Sequence, residues 1–190
     1  MFYVYIVIAY LLGSISMSII QGRMAGVDIK KEGSGNAGTT NTLRVLGKKA
    51  AAITLVCDVL KGVIAVLLGS LASPLCAYIC AIAVFLGHIF PVYFGFKGGK
   101  GVATAFGAVL AVNWQVALLC LAVVAILTVI TKRMSVGSLA GAVALPVLSV
   151  FLEKPFWPFA LAIGLIIIIK HRGNIKRLIK GEEPPIRFKK

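Results

Sequence analysis

The chain has 190 residues, 59% hydrophobic and only 14% charged, with a formal net charge of +14. That composition excludes an ordinary soluble domain and fits a single membrane-embedded domain over residues 1–190. Such a basic balance would suggest nucleic acid in a soluble protein. Here the charges collect in short gaps between apolar runs, so the expected partners are membrane lipid and small anionic substrates, not nucleic acid.

The first apolar run, Val4 to Ile20, is long enough to cross hydrocarbon. No Lys or Arg precedes it and no small-residue cleavage site follows, so it reads as a retained span rather than a signal peptide. Gly22 to Lys49 is polar. Ala50 to Leu71 and Pro74 to Phe94 are the next two spans. Gly101 to Val112 is apolar but only twelve residues long. As a helix it reaches about 18 Å, short of the roughly 30 Å hydrocarbon core. Trp114 to Thr131 and Val136 to Leu152 are full spans, and Phe156 to Ile169 is a shorter last one.

Charge placement decides whether the short segment crosses. If it does, four basic regions share one side. The first holds Arg23, Lys30, Lys31, Arg44, Lys48 and Lys49, the second Lys97 and Lys100, the third Lys132 and Arg133. The fourth is the tail, with Lys170, Arg172, Lys176, Arg177, Lys180, Arg187, Lys189 and Lys190. Only Lys61 and Lys154 are left over. If it does not cross, Lys132 and Arg133 fall opposite the rest. The positive-inside bias therefore predicts seven crossings, with the N-terminus outside and the tail in the cytoplasm. Past the last span, Ile175, Leu178 and Ile179 lie on one helical face and Lys176, Arg177 and Lys180 on the other. This predicts a short amphipathic helix on the membrane surface, ended by Gly181 and Pro184-Pro185. The expected fold is all-α and polytopic, with seven transmembrane helices, one of them short, and this interfacial helix.

The most informative stretch runs from Phe94 to Thr104. Gly95, Gly98, Gly99 and Gly101 surround Lys97 and Lys100. Glycine lets successive N–H groups turn toward one point, the lysines add charge, and a helix beginning near Gly101 aims its positive end there. This is a phosphate cradle by composition, although its spacing is neither a Walker A loop nor a dinucleotide fingerprint. A plain positive flanking loop needs lysines but not the glycines.

Three further polar stretches share its side of the membrane. Gly33 to Arg44 supplies Ser34, Asn36, Thr39, Thr40, Asn41 and Thr42 with an arginine, a mixture suited to a phosphorylated polyol. Ser135 and Ser138 open a helix, where capping and phosphate binding compete. His171, Arg172 and Asn174 could form a site or a membrane-edge anchor. His88 sits at a span end and reads as a hydrogen-bonded boundary residue. Asp58 and Lys61 lie three apart inside a span and read as an ion pair fixing helix packing. Cys57, Cys76, Cys80 and Cys120 all lie in apolar runs without metal-ligand spacing. No Gly-x-Ser-x-Gly elbow is present, and no carboxylate stands out as a base beside a histidine. His88 is followed by Tyr93 at the place where soluble-face glycerolipid acyltransferases carry an aspartate.

Gly33 to Asn41, the block from Gly87-His88 through Thr104, and His171 to Leu178 resemble the three signature stretches of the bacterial acyl-phosphate:glycerol-3-phosphate acyltransferases, the PlsY family. The Asp58 to Gly62 and Ser135/Ser138 stretches are similar too, and Gly173 stands where a polar residue is common. The resemblance runs from the first span to the tail. It implies an inner-membrane enzyme that moves a fatty acyl group from acyl phosphate to glycerol 3-phosphate, giving lysophosphatidic acid and phosphate, with no cofactor and no metal. The enzyme that makes acyl phosphate is an implied candidate partner. Position by position, Ser34, Arg44, Lys100 and Asn174 would hold glycerol 3-phosphate. Thr40, Ser138 and the backbone of Gly98, Gly99 and Gly101 would hold the donor phosphate. His171 carries over as well. With the residue reading, the expected catalytic set is Ser34, Lys100, His171 and Asn174. The expected substrate-binding set adds Asn36, Thr40, Asn41, Arg44, Lys97, Gly98, Gly99, Gly101, Ser135 and Ser138. A transporter of a phosphorylated solute, using the short segment as a half-helix, is the alternative. A non-catalytic organiser that binds anionic lipid is a third reading.

Overall fold

The first apolar run does not form one rod. In the computed structural model, which describes residues 1–186, helix α1 (Phe2–Ser14) stops and α2 (Met17–Met24) restarts after extended residues Ile15 and Ser16. Together they still make a 23-residue candidate span, Phe2–Met24. Arg187, Lys189 and Lys190 of the basic tail lie outside the described residues. Those residues fall into two compact units, 1–112 and 113–186, and their regular structure is helical throughout.

In the first unit, the polar segment after α2 contains a short helix, α3 (Thr39–Leu46). Gly47, at φ +89°, turns the chain into α4 (Lys48–Ser70). Helix α5 (Pro74–Ile89) begins with two independent start signals. Ser73 Oγ accepts the Cys76 N–H at 3.1 Å, and Pro74 occupies the first turn, where its missing N–H costs nothing. A 3₁₀ turn (Val92–Phe94) and the glycine-lysine loop lead to α6 (Val102–Val112). Helix α1 packs on α5, and α4 packs on α6. Both seams use glycine. A Cβ on Gly13 would strike the backbone of Val84, and one on Gly107 would strike the backbone of Val59. Small residues let helix backbones approach closely where hydrophobicity alone cannot drive association.

In the second unit, Asn113 accepts the N–H groups of Gln115 and Val116 and so starts α7 (Trp114–Thr131). A two-residue connection, Lys132–Arg133, reverses the chain into α8 (Met134–Leu152). A 3₁₀ turn (Lys154–Phe156) precedes α9 (Trp157–Lys170), which bends by 56° into α10 (Arg172–Ile179). Gly173 does not interrupt α10. Gly181, at φ +74°, stops it, where left-handed backbone suits glycine.

Among the described residues, five helical stretches, the broken α1–α2 run included, are long and apolar enough to cross a membrane, and the bent α9–α10 pair makes a sixth when counted as one span. Large apolar side chains such as Val129 and Ile130 stand exposed on these helices. Surface of that kind belongs to lipid, and this is an integral membrane protein. Helix α6 is the short segment anticipated from the sequence, and a count of seven crossings depends on it.

The glycine seams make a prediction about stability. Gly107→Ala should destabilise by about 1–3 kcal/mol, because the added methyl meets backbone that cannot yield. Gly173→Ala, on the exposed α10, should be neutral or slightly stabilising. Thermal unfolding of the purified variants in detergent checks both, and equal melting temperatures would show that the α4–α6 seam is loose.

Candidate active site

Each unit carries part of the expected machinery. In the first, Asn41 organises the loop before α3. Its Oδ1 accepts the Ser34 N–H (2.8 Å) and the Ser34 hydroxyl (3.2 Å). Its Nδ2 donates to the carbonyls of Ile29 (2.9 Å) and Glu32 (3.0 Å). A side-chain amide offers two donors and two acceptor sites, so all four are used. Asn41 is fully buried. Asn41, expected to contact substrate, spends its side chain on its own loop, where it holds Ser34, which is itself exposed. Gly33 has φ +60°, and a side chain there would run into Asn41 Oδ1. Thr40 and Arg44, on α3, are half-buried and make no side-chain hydrogen bond among the described residues; Asn36 is half-buried as well.

The glycine-lysine loop lies against this segment. Gly99 fits between the His88 ring and the Ala37 carbonyl, with no room for a side chain. Gly101, at φ +79°, lies on the Phe85 ring. The structure therefore brings the Ser34–Arg44 stretch and the Lys97–Gly101 stretch together. The N–H groups of the nest have partners of their own. The Gly98 N–H donates to Ile89 O (3.1 Å) and the Gly99 N–H to His88 O (3.2 Å). Those two groups are committed to the fold and do not turn toward a common point.

Several cations gather near this loop. Lys30 Nζ reaches the Phe94 carbonyl at 3.4 Å, and the Arg23 guanidinium lies 5.1 Å from the centre of the Phe94 ring. Burial lowers the Lys30 pKa; Asp28 opposes that shift, and repulsion from Arg23 and Lys97 adds to it. Cations held close enough to repel one another favour a bound anion.

His88, expected as a boundary residue, belongs instead to a buried polar cluster. Asp58 and Lys61 form the anticipated ion pair at 2.8 Å, and His88 Nδ1 lies 3.0 Å from Lys61 Nζ. Thr104, which composition did not single out, joins the same nitrogen at 3.2 Å.

In the second unit, the organising group is Glu183. Its Oε1 accepts from Ser135 Oγ (2.8 Å) and Asn174 Nδ2 (2.6 Å), and its Oε2 from Arg177 Nε (2.7 Å). Arg133 Nε donates to the Glu183 carbonyl at 3.0 Å. The sequence had offered either helix capping or phosphate binding for Ser135. The cap position is Arg133, and the Ser135 hydroxyl is turned to Glu183. Ser138 is buried one turn further on. His171 Nδ1 donates to Ile167 O at 2.8 Å, so that nitrogen carries a proton. Glu183 escaped the sequence because no histidine stands beside it. The available signal was Gly181, which turns the chain back after α10.

Burial pushes the Glu183 carboxyl up, but hydrogen bonds from Asn174, Ser135 and Arg177, with the charge of Arg177, hold it below the ordinary glutamate value. A carboxylate with a lowered folded pKa stabilises the fold fully above its unfolded pKa, and that stabilisation is lost as pH falls through the folded value. Glu183→Ala should cost about 1–3 kcal/mol for each buried donor left without an acceptor. Glu183→Gln should flatten the acid limb of a plot of melting temperature against pH. Thermal unfolding between neutral and acidic pH tests this, and identical limbs in wild type and Glu183→Gln would count against the ion pair.

A family model described as glycerol-3-phosphate acyltransferase matches residues 3–181. The glycerol-3-phosphate acyltransferase of Clostridioides difficile (strain 630) is 48% identical, over 97% of this chain and 95% of its own. That of Shewanella halifaxensis (strain HAW-EB4) is 43% identical, over 98% and 96%. Two crystal structures of PlsY (YgiH), an integral membrane glycerol 3-phosphate acyltransferase, resemble this one at 36% identity. The glycerol 3-phosphate form has a TM-score of 0.94 and matches over 98% of this chain and 96% of that one. The lysophosphatidic acid form has a TM-score of 0.89, over 97% and 94%.

Proposed function

Because the chain belongs to the glycerol-3-phosphate acyltransferase family, we propose that it transfers a fatty acyl group from acyl phosphate to glycerol 3-phosphate. The products are lysophosphatidic acid and phosphate, and the reaction is the first acylation of phospholipid synthesis. The observation that carries this reading is the pair of related structures, one named for glycerol 3-phosphate and the other for lysophosphatidic acid. Both close likenesses of this chain are thereby tied to the two sides of one transfer.

The chemistry suits what the residues offer. A hydroxyl of glycerol 3-phosphate attacks the acyl carbonyl carbon. A C–O bond forms, the bond to the phosphate oxygen breaks, and phosphate leaves with the electron pair. The donor is already activated, so little nucleophile activation is needed, and a substrate phosphate oxygen takes the hydroxyl proton. The chain's work is then orientation and charge stabilisation. Ser34, Arg44, Lys100 and Asn174 are assigned to glycerol 3-phosphate. Thr40, Ser138 and the backbone at Gly101 are assigned to the donor phosphate. Asn36, Lys97 and His171 complete the assigned set, with Asn41, Ser135, Gly98 and Gly99 acting through their neighbours. The exposed position of Ser34 and the close packing of its loop on the Lys100 loop support this.

The whole chain is read as one catalytic domain in the bacterial inner membrane, crossing seven times. The N-terminus is outside and the reaction takes place at the cytoplasmic face. The one-sided basic segments support that orientation. For α6 to cross, its 11 residues must bridge a thin stretch of bilayer, since a helix of that length spans only about 16 Å. An acyl phosphate is labile in water, which favours delivery at the membrane by the enzyme that makes it.

Purified protein supplied with acyl phosphate and glycerol 3-phosphate should form lysophosphatidic acid and should not do so from acyl-CoA. A transporter or a lipid organiser would form none. Lys100→Ala should lower turnover roughly 100- to 1000-fold, the scale of one good charge-stabilising donor, with folding intact. Undiminished turnover in that variant would take Lys100 out of the mechanism.

A further inference from the structure

We propose that His88 and Thr104 are positioning residues for Lys100, anchored by the buried Asp58–Lys61 pair; this rests on the role given to Lys100 above. Three helices meet at one atom. His88 Nδ1, from α5, lies 3.0 Å from Lys61 Nζ and 3.4 Å from Asp58 Oδ1, both on α4. It lies 3.2 Å from Thr104 Oγ1, on α6. All four side chains are buried. Lys61 is held on its other sides by Asp58 (2.8 Å) and by the carbonyls of Gly13 (3.1 Å) and Ile15 (2.9 Å). Contacts from α4 and α6 thus fix the imidazole ring.

The opposite edge of that ring bears on the glycine-lysine loop. A Cβ on Gly99 would collide with His88 Nε2, so Gly99 is seated directly against the imidazole. The backbone of the same stretch holds the loop from the other side, with Ile89 and His88 accepting the N–H groups of Gly98 and Gly99. Lys100 is the next residue, and Thr104 follows on the first turn of α6. His88 and Thr104 therefore flank the lysine in sequence, and their side chains meet. A loop rich in glycine has many backbone conformations open to it. The tie across its two ends selects one of them.

Lys61 and Asp58 also serve the break after α1, but helix packing alone does not call for the His88 and Thr104 side chains. Apolar side chains of the same volume would join α4, α5 and α6 without the cost of taking polar groups out of water. Valine has the shape of threonine and would fill the Thr104 site. What valine cannot do is bond the nitrogen of a ring whose other edge seats the residue before Lys100.

The test compares full-length wild type with Thr104→Val, Thr104→Ser and His88→Asn in detergent. For each, kcat and KM for glycerol 3-phosphate are measured, with the melting temperature in the presence and absence of that ligand. Thr104→Val and His88→Asn should lower kcat/KM on the order of 10- to 100-fold and shrink the ligand-induced rise in melting temperature. Their ligand-free melting temperatures should stay within a few degrees of wild type, and Thr104→Ser should behave as wild type. If Thr104→Val does not fold, His88→Asn decides. Two results overturn the inference while leaving the proposed function standing. Either both variants keep full activity in a background where wild type transfers the acyl group, or activity falls only in step with the ligand-free melting temperature. A wild type that neither transfers nor responds to glycerol 3-phosphate removes both.

Discussion

A lysine inside an apolar helical unit holds much of the first half of this protein in place. Lys61 is only 7% exposed. The first apolar run breaks after α1, and a break in lipid leaves backbone carbonyls that water cannot reach. Lys61 satisfies two of them, at Gly13 and Ile15, while Asp58 one turn earlier balances its charge. Removing any member would strand the others in a medium that does not forgive unpaired polar groups. The break and the ion pair are thus mutually dependent, with the histidine beside them.

The second unit uses the opposite sign. There a carboxylate, Glu183, gathers donors from Ser135 at the start of α8 and from Asn174 and Arg177 on α10. In both units the organising charge is buried, contacts several elements, and sits where helix ends leave unpaired backbone groups. Of the residues assigned to substrate, Asn174 is itself a Glu183 donor, whereas Ser34 is exposed and held from behind by Asn41.

Hydropathy made the spans legible, and Trp114–Thr131 matches to the residue because Asn113 caps its start and Lys132 takes left-handed backbone at its end. The break between α1 and α2 was not legible, since neither Ile15 nor Ser16 breaks helices; tertiary contact with Lys61 stabilises it. Asn41 and Ser135 had the right chemistry for substrate, but composition does not say where a hydrogen bond goes. Asn41 turns into its own loop and Ser135 to a residue 48 positions later. Glu183 was hidden for the same reason. The glycines around Lys100 were legible as a tight loop, while their use for close approach to His88 required the packed helices.

Both tryptophans lie in the second unit, Trp114 at the start of α7 and Trp157 at the start of α9. The chain reverses at Lys132–Arg133 and again at the 3₁₀ turn before α9, so these two positions fall at the same end of their helices. Ser135 and Asn174 stand at the other end. Tryptophan emission from this protein therefore reports on one end of these helices, the end away from Ser135 and Asn174. A spectral change on adding a phosphorylated ligand would record a movement carried along the length of the helices, not local quenching by the ligand itself.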